Sequence, residues 1–136
     1  MFSSIDNDKV PELTQSDTEM VQEDHVKTPE DFETTQEYVE HYFADAPVMA
    51  RVAYCESKFT QFNDDGSVLR GQVTPADVGV MQINEVYHLE TSQELGYDIH
   101  TLEGNLEYAR YLYEKKGVQP WSASRRCWSS DHLAMR

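Results

Sequence analysis

Residues 47–57 have the sequence PVMARVAYCES, which is the pattern of an amphipathic helix. Pro47 suits the first helical position, where its missing amide hydrogen would have no partner anyway. The apolar side chains form one stripe along this helix: Val48, Met49, Val52 and Ala53. Glu56 lies on the same side, near the end of the helix. The stretch therefore predicts a packed helix that carries a carboxyl group on its apolar face.

A carboxylate on an apolar stripe loses hydration, so burial is expected to raise the pKa of Glu56. A raised pKa keeps the carboxyl group protonated near neutral pH, as a general acid in glycosidic cleavage requires. The helix alone also fits a second interpretation, in which a glutamate at a helix end bonds a neighbouring backbone amide or an arginine. The segments that follow are needed to choose between the two.

The sequence changes in character after this helix. Residues 63–67, NDDGS, are turn-forming. Residues 68–70 and 78–81 are short and β-prone, so we predict a small β-hairpin from these two stretches. Apolar periodicity predicts further helices at about residues 28–42, 85–95 and 101–116. A short turn is expected after them, at residues 120–126. The fold class is therefore α+β, mostly helical with a small β-hairpin.

Asn105 falls on the predicted buried face of the helix at 101–116. An unpaired amide would be costly there, so its side chain is expected to be hydrogen-bonded. We interpret Asn105 as a structural residue that ties the hairpin to this helix.

Negative charge is concentrated at the start of the chain. The whole chain has a net charge of −14, and residues 1–45 hold thirteen acidic residues against two lysines. Residues 1–27 are polar and acidic, which predicts a disordered tail or linker, and residues 28–136 are expected to form the folded domain. The acidic balance argues against a nucleic-acid partner, and no apolar stretch is long enough to span a membrane. No export signal is visible at the start of the sequence.

Several segments occur in an order that resembles the lysozyme-like superfamily, particularly soluble lytic transglycosylase domains and c-type lysozymes. They cover about residues 46–128 and are Glu56-Ser57, Gly79-Val80-Met81-Gln82-Ile83-Asn84, Gly104-Asn105-Leu106, Ala109-Arg110-Tyr111-Leu112 and Pro120-Trp121. The resemblance implies a lysozyme-like fold whose hairpin lies beside the active-site cleft. It also implies an enzyme that cleaves the glycan strands of peptidoglycan.

The same resemblance assigns roles to single residues. Glu56 is implied to be the acid that protonates the leaving oxygen. The residues implied to bind substrate are Gln82, Asn84, Tyr87, Tyr111 and Trp121. Gln82 and Asn84 would meet the N-acetyl groups of the sugars, because an acetamido group offers one donor and one acceptor. At Tyr87 and His88 the chain departs from the sugar-stacking tryptophans of c-type lysozymes, and aromatic core residues are the alternative interpretation there.

Asp77 lies two positions before Gly79, where c-type lysozymes have their second catalytic carboxylate and many lytic transglycosylases have no acid. The resemblance to c-type lysozymes therefore implies that Asp77 is the second catalytic residue. The segment at residues 68–76 is longer than in those enzymes, so the hairpin could hold Asp77 elsewhere.

Two cysteines, Cys55 and Cys127, allow one intramolecular disulfide, and the sequence alone leaves paired and free thiols equally open. Peptidoglycan lies outside the cytoplasm, so the resemblance implies an extracytoplasmic location and favours the disulfide. No metal or other cofactor is expected, because the five histidines lack ligand spacing with one another or with the cysteines. Glycan strands are the expected partner of a monomeric chain.

The expected reaction is cleavage of the β-1,4 bond between N-acetylmuramic acid and N-acetylglucosamine. Asp77 favours hydrolysis, whereas Glu56-Ser57 and Tyr111 favour the lytic transglycosylase route, which forms 1,6-anhydro ends. On balance the sequence favours hydrolysis. The alternative class is a non-catalytic peptidoglycan-binding or envelope-assembly module on the same fold.

Overall fold

This computed structural model describes residues 26–129. In that range the α-helices are α1 (Thr35–Tyr42), α2 (Pro47–Ser57), α3 (Glu85–Glu94), α4 (Leu102–Lys116) and α5 (Arg125–Trp128). Two 3₁₀ helices span Pro29–Asp31 and Gln119–Ser124, and the strands are β1 (Asp77–Val78) and β2 (Ile83–Asn84). The tail predicted at residues 1–27 lies outside the described residues except for Val26 and Lys27, and so do residues 130–136 of the predicted domain. The described part is a small α+β fold, mostly helical with one antiparallel hairpin, which confirms the predicted fold class at that level.

Helix α2 has the bounds that its sequence predicts. Met49, Val52 and Ala53 are fully buried, and the helix ends where Lys58 adopts a left-handed conformation with φ of 53°. Helix α4 begins after Thr101, whose side chain accepts from the Gly104 amide, and ends before Gly117. These two helices supply much of the apolar core, which also includes Tyr38, Val39, Phe43, Val78, Met81, Ile83, Ile99, Trp121 and Trp128.

The single helix predicted over residues 28–42 is wrong, because the chain is interrupted between the 3₁₀ helix and α1. The Thr34 hydroxyl accepts from the Glu37 amide at 3.1 Å, and the Glu37 carboxylate accepts from the Thr34 amide at 3.2 Å. This capping box starts a new helix at Thr35. The sequence prediction had a single helix start near residue 28 and missed the second start, at Thr34.

The hairpin also differs from its predicted pairing. Strands β1 and β2 pair antiparallel with Asp77 opposite Asn84, so that residues 79–82 form the turn between them. Residues 68–70 contribute only isolated bridges, from Val68 to Phe62 and from Arg70 to Val78. The physical reason is the positive φ at both ends of the turn, 77° at Gly79 and 52° at Gln82, which reverses the chain there.

Asn105 fixes the hairpin turn to helix α4. Its Oδ1 accepts from the Met81 amide at 2.8 Å, and its Nδ2 donates to the carbonyls of Val78 at 3.0 Å and Ile99 at 2.8 Å. The side chain is completely buried, so these bonds replace lost hydration. The predicted structural role of Asn105 is confirmed. Among residues 26–129, no helix is both long and apolar enough to cross a membrane.

Candidate active site

A groove with two halves runs between the helices and the hairpin. One half is a cleft of about 350 Å³ that reaches Tyr87 and Lys116, and the other is a shallower depression of about 570 Å³ along residues 69–74. Both halves are lined by Glu56, Asp77, Gln82 and Ala123. Glu56 and Asp77 therefore lie where the two halves meet, in the middle of one extended groove.

We call the two sides of the groove the helical wall and the hairpin wall. The helical wall consists of the end of α2 with Glu56 and the 3₁₀ segment Gln119–Ser124. The hairpin wall consists of residues 77–84, with Asp77, Gln82 and Asn84 on the groove side. Each wall thus contributes one carboxyl group to the middle of the groove.

Glu56 is partly buried in the helical wall. Burial raises the pKa of Glu56 above its ordinary value, a hydrogen bond from Ser124 opposes that shift, and the nearby charge of Asp77 adds to it. Ser124 Oγ lies 2.7 Å from Glu56 Oε2. The direction of the pKa shift agrees with the expectation from the apolar stripe, and it favours a protonated, proton-donating carboxyl group.

Trp121 and the cysteine pair build the helical wall around Glu56. Trp121 is 3% exposed, lines the groove and donates its indole N–H to the Met81 carbonyl at 2.9 Å, which links the two walls. Cys55, the residue before Glu56, forms a disulfide with Cys127 in α5. Arg51 Nε adds a bond to the Trp128 carbonyl at 3.2 Å. Helix α2 and the C-terminal segment are therefore fixed to each other beside the acid.

The amide side chains of the hairpin wall, Gln82 and Asn84, bond to groups of the protein. Asn84 Nδ2 donates to Asp77 Oδ1 at 2.9 Å, and Asn84 Oδ1 caps α3 by accepting from the Val86 and Tyr87 amides. Gln82 Nε2 donates to the Gly79 carbonyl at 2.9 Å. These contacts orient Asp77 along the groove. They also mean that the two amides expected to meet N-acetyl groups already have partners in the protein.

Tyr87 and His88 both line the cleft, with different surroundings. Tyr87 is 79% exposed, so it is a rim residue, and the alternative interpretation as a core aromatic is wrong for it. His88 Nδ1 lies 2.8 Å from the Tyr108 hydroxyl, and burial, with a smaller effect of Lys116, lowers the pKa of His88. This side of the cleft therefore presents an exposed phenol ring and a partly buried imidazole whose pKa is lowered.

Tyr111 is the one predicted site residue that is not among those lining the groove. Its ring packs on Tyr108 with centroids 5.4 Å apart, and Lys115 Nζ lies 5.3 Å from its centroid. The next residue, Leu112, reaches the cleft instead. The structure thus brings together Glu56, Asp77, Gln82, Asn84, Tyr87 and Trp121.

Ser57 and Ser124 have contacts that the sequence interpretation did not foresee. The Ser57 hydroxyl lies 2.7 Å from the Val80 carbonyl and ties α2 to the hairpin turn, so the Glu-Ser pair is partly structural. Ser124 contacts Glu56 directly. The only signal for Ser124 was its place three residues after Trp121, in a turn already expected to lie near the acid.

The groove thus has at its middle a partly buried carboxyl group with a raised pKa and a second carboxyl group, with an exposed tyrosine at its rim. Such a pair of carboxyl groups can supply acid chemistry. Among residues 26–129, no group of three or more His, Cys, Asp or Glu side chains could hold a metal ion. Comparisons with known protein families, curated proteins and solved structures found no match to this chain.

Proposed function

We propose that this chain is a lysozyme-like glycosidase that cleaves the β-1,4 bond between N-acetylmuramic acid and N-acetylglucosamine in peptidoglycan. The observation that carries the proposal is Glu56, a partly buried carboxyl group whose pKa burial raises, in the middle of a two-sided groove. A glycan strand fits such a groove because it continues in both directions from the bond to be cut. The proposal implies a location outside the cytoplasm, and the disulfide suits that compartment.

In the proposed reaction Glu56 gives its proton to the glycosidic oxygen as the bond to the anomeric carbon breaks. The sugar left behind has the character of an oxocarbenium ion, and Asp77 faces it from the hairpin wall. Asp77 can stabilise that positive charge or activate the water that adds to the anomeric carbon. The hydroxyl of that water bonds to the anomeric carbon, and the proton it gives up returns to the Glu56 carboxylate, directly or by way of Asp77 and solvent. The products are two shorter strands, one with a new reducing end.

Hydrolysis is favoured over the lytic transglycosylase route because Asp77 lies in the same part of the groove as Glu56. The lytic route would use the muramic acid's own hydroxyl as nucleophile and needs only one protein acid. Tyr111, which together with Glu56-Ser57 pointed to that route, packs on Tyr108 and is not among the residues that line the groove. A non-catalytic glycan-binding module is the competing class, and it offers no use for a partly buried acid whose charged form is disfavoured.

The decisive experiment is loss of turbidity of a cell-wall suspension, with Glu56→Gln compared with the unaltered chain. Gln has nearly the shape of Glu and has no proton to give, so the rate should fall by at least about a hundredfold, the usual share of general acid catalysis. The exposed Glu90 on α3 provides a matched control, since Glu90→Gln removes a carboxylate away from the groove. A folded Glu56→Gln variant with wild-type activity would eliminate the glycosidase proposal.

Mass spectrometry of the digested wall distinguishes the two routes. Hydrolysis yields reducing ends, whereas 1,6-anhydro ends are lighter by one water. Asp77→Asn keeps a side chain of similar size next to Asn84 and removes the charge, so the hydrolytic rate should fall by about a hundredfold. Products dominated by anhydro ends, together with an active Asp77→Asn variant, would replace hydrolysis by the single-acid route.

A further inference from the structure

A chain of hydrogen bonds reaches Glu56 from Trp128 through Ser124. Trp128 Nε1 lies 3.0 Å from Ser124 Oγ and 3.1 Å from the Trp121 carbonyl, and Ser124 Oγ lies 2.7 Å from Glu56 Oε2. Trp128 is 5% exposed, so its indole nitrogen depends on these two acceptors. No sequence pattern assigned a role to Ser124 or Trp128.

The direction of each bond follows from the donors. An indole nitrogen only donates, so Ser124 Oγ accepts from Trp128 and keeps its own hydroxyl proton for another partner. Two acceptors are within reach of that proton, Glu56 Oε2 at 2.7 Å and the Trp121 carbonyl at 3.2 Å. The carboxylate is the nearer acceptor and, when charged, the stronger one.

We propose that Ser124 is a positioning residue for Glu56, and that the Ser124 hydroxyl has a hydrogen-bond acceptor in both protonation states of the carboxyl group. When Glu56 is ionised, Ser124 donates to it. When Glu56 is protonated, the Ser124 proton can turn to the Trp121 carbonyl, so neither state leaves the hydroxyl without an acceptor. The catalytic consequence rests on the proposed function, since only an acid that is protonated and deprotonated in each cycle needs such a partner.

The surrounding segments hold Ser124 in place. The Cys55–Cys127 disulfide joins the residues next to Glu56 and Trp128, so both ends of the hydrogen-bond chain are fixed by one covalent link. The Trp121 indole N–H is bonded to Met81 at 2.9 Å, which fixes the neighbouring carbonyl acceptor. Ser124 therefore bonds Glu56 from a segment whose position is fixed by these contacts.

The hydroxyl also opposes the other influences on Glu56. Burial and Asp77 raise the pKa of Glu56, whereas the Ser124 bond favours the ionised form and lowers it. Besides Asp77, the charged or titratable side chains that line the groove around Glu56 come from the residue after α2, the segment before β1, α3 and α4, and they are Lys58, Arg70, Tyr87, His88 and Lys116. None of these donates to Glu56 in the contacts that the structure describes, so Ser124 is the direct donor that mutation can remove.

The test compares Ser124→Ala with the unaltered chain in two measurements. The first is a ¹³C NMR titration of the Glu56 carboxyl carbon without substrate, assigned with Glu56→Gln. Loss of the donor should raise the pKa of Glu56.

The second measurement is the pH profile of kcat for wall cleavage by the same two proteins. The value of kcat should fall by about tenfold with KM unchanged, because a bond to a charged group is lost. The limb where activity falls with rising pH should move to higher pH, because Glu56 stays protonated longer.

Two controls separate positioning from general damage. Ser122→Ala removes an exposed hydroxyl from the same 3₁₀ segment and should leave both measurements unchanged. Ser124→Thr keeps the hydroxyl and should restore the wild-type titration and profile. Should Ser124→Ala fail to fold, the isosteric pair Ser124→Thr and Ser124→Val isolates the hydroxyl in its place.

The inference is overturned if the pKa of Glu56 does not rise in the variant without the hydroxyl, or if kcat and its pH profile stay at wild-type values. The titration needs no activity, so it gives an answer even if the chain cleaves no glycan. If the protein cleaves no glycan but the pKa of Glu56 rises on loss of the hydroxyl, the proposed reaction is rejected and the Ser124–Glu56 coupling is retained. If the protein cleaves glycan but the pKa of Glu56 does not change, the coupling is rejected and the proposed reaction is retained.

Discussion

The two walls of the groove are held together in different ways. In the helical wall the partners are distant in sequence: Cys55 and Cys127 are 72 residues apart, and Glu56 and Ser124 are 68 apart. For two groove-lining side chains of the hairpin wall they are close, since Asp77 bonds Asn84 seven residues on and Gln82 bonds Gly79 three residues back. The backbone of the hairpin turn, in contrast, is fixed to α4 by Asn105 and to α2 by Ser57. The side chains of the helical wall therefore depend on distant segments for their contacts, whereas Asp77 and Gln82 find partners within the hairpin.

This difference gives the two carboxyl groups different environments. Glu56 is held in a partly apolar wall behind Trp121, where burial raises its pKa. Asp77 lies among polar side chains and accepts directly from an amide. The two carboxyl groups of the groove therefore differ in the polarity of their surroundings and in their hydrogen-bond partners. The comparison suggests perturbations that should break one wall and spare the other.

Removal of the disulfide should have the largest effect, and it should act on the helical wall. The double variant Cys55→Ala, Cys127→Ala opens a closed loop of 72 residues. The free energy of unfolding should fall by about 4 kcal/mol, because the unfolded chain regains the entropy of that loop. Urea denaturation under identical conditions measures the change.

Hydrogen exchange should then show where the loss occurs. The Ser129 amide, bonded to the Arg125 carbonyl at 2.9 Å, should exchange faster. The Met81 amide, bonded to the buried Asn105 side chain, should change less. Equal acceleration of exchange at both sites would mean that the two walls unfold as one cooperative unit. A negligible change in the free energy of unfolding would mean that the disulfide does not stabilise the helical wall.

The same contrast explains what the sequence could predict. The bounds of α2 followed from a proline at the start and a regular apolar stripe, which are local signals. The bond from Ser124 to Glu56 and the packing of Tyr111 on Tyr108 depend on how distant segments meet, and no local pattern encodes them. The break before α1 was a different failure, because the Thr34 and Glu37 capping box was present in the sequence and was overlooked.

The hairpin pairing could not be predicted from β-propensity, because it depends on space around Gly79. A Cβ atom there would lie 2.4 Å from Asn105 Nδ2 and 2.7 Å from Gln61 Oε1, closer than atoms can approach. Only glycine leaves room for the buried amide of Asn105 to bond the Val78 carbonyl and the Met81 amide on either side of it. Propensity favoured residues 78–81 as a strand, and packing against Asn105 made them a turn instead.

Gly79→Ala should have the second largest effect, this time on the hairpin wall. It should destabilise the domain by about 3 kcal/mol, because the new methyl group must displace buried polar side chains at a positive φ. Gly96 is the matched control, since it also has a positive φ, of 84°, with no atom within 4 Å of its Cβ position. Gly96→Ala should therefore cost only the backbone strain, about 1 kcal/mol. Equal losses in thermal melts of the two variants would show that the contacts of Gly79 carry no weight.

A second support of the hairpin wall is ionic and so depends on pH. Glu85, the first residue of α3, accepts from Arg70 at 2.8 Å and contacts His100, and its amide bonds the Ala76 carbonyl at 2.8 Å. These contacts fasten the segment before β1 to α3. The Arg70 and His100 side chains lower the pKa of Glu85 from 4.5 to about 2.

Glu85→Gln should give the smallest of these effects, visible only as a change in pH dependence. A carboxyl group whose folded pKa is depressed contributes stability above its unfolded pKa, and that contribution is lost as the pH falls from 4.5 towards 2. The loss should be modest because Arg70 is largely exposed and solvent screens the pair. We expect the urea midpoint of the unaltered chain to fall more steeply over this range than that of Glu85→Gln. Glu90→Gln, on the same helix, controls for the loss of one negative charge.

Parallel slopes of the urea midpoint against pH for the unaltered chain and Glu85→Gln would show that the ion pair does not hold the hairpin wall. If the urea midpoint depends less steeply on pH in Glu85→Gln alone, the two walls differ in what destabilises them. Acid destabilises the hairpin wall, and loss of the disulfide destabilises the helical wall.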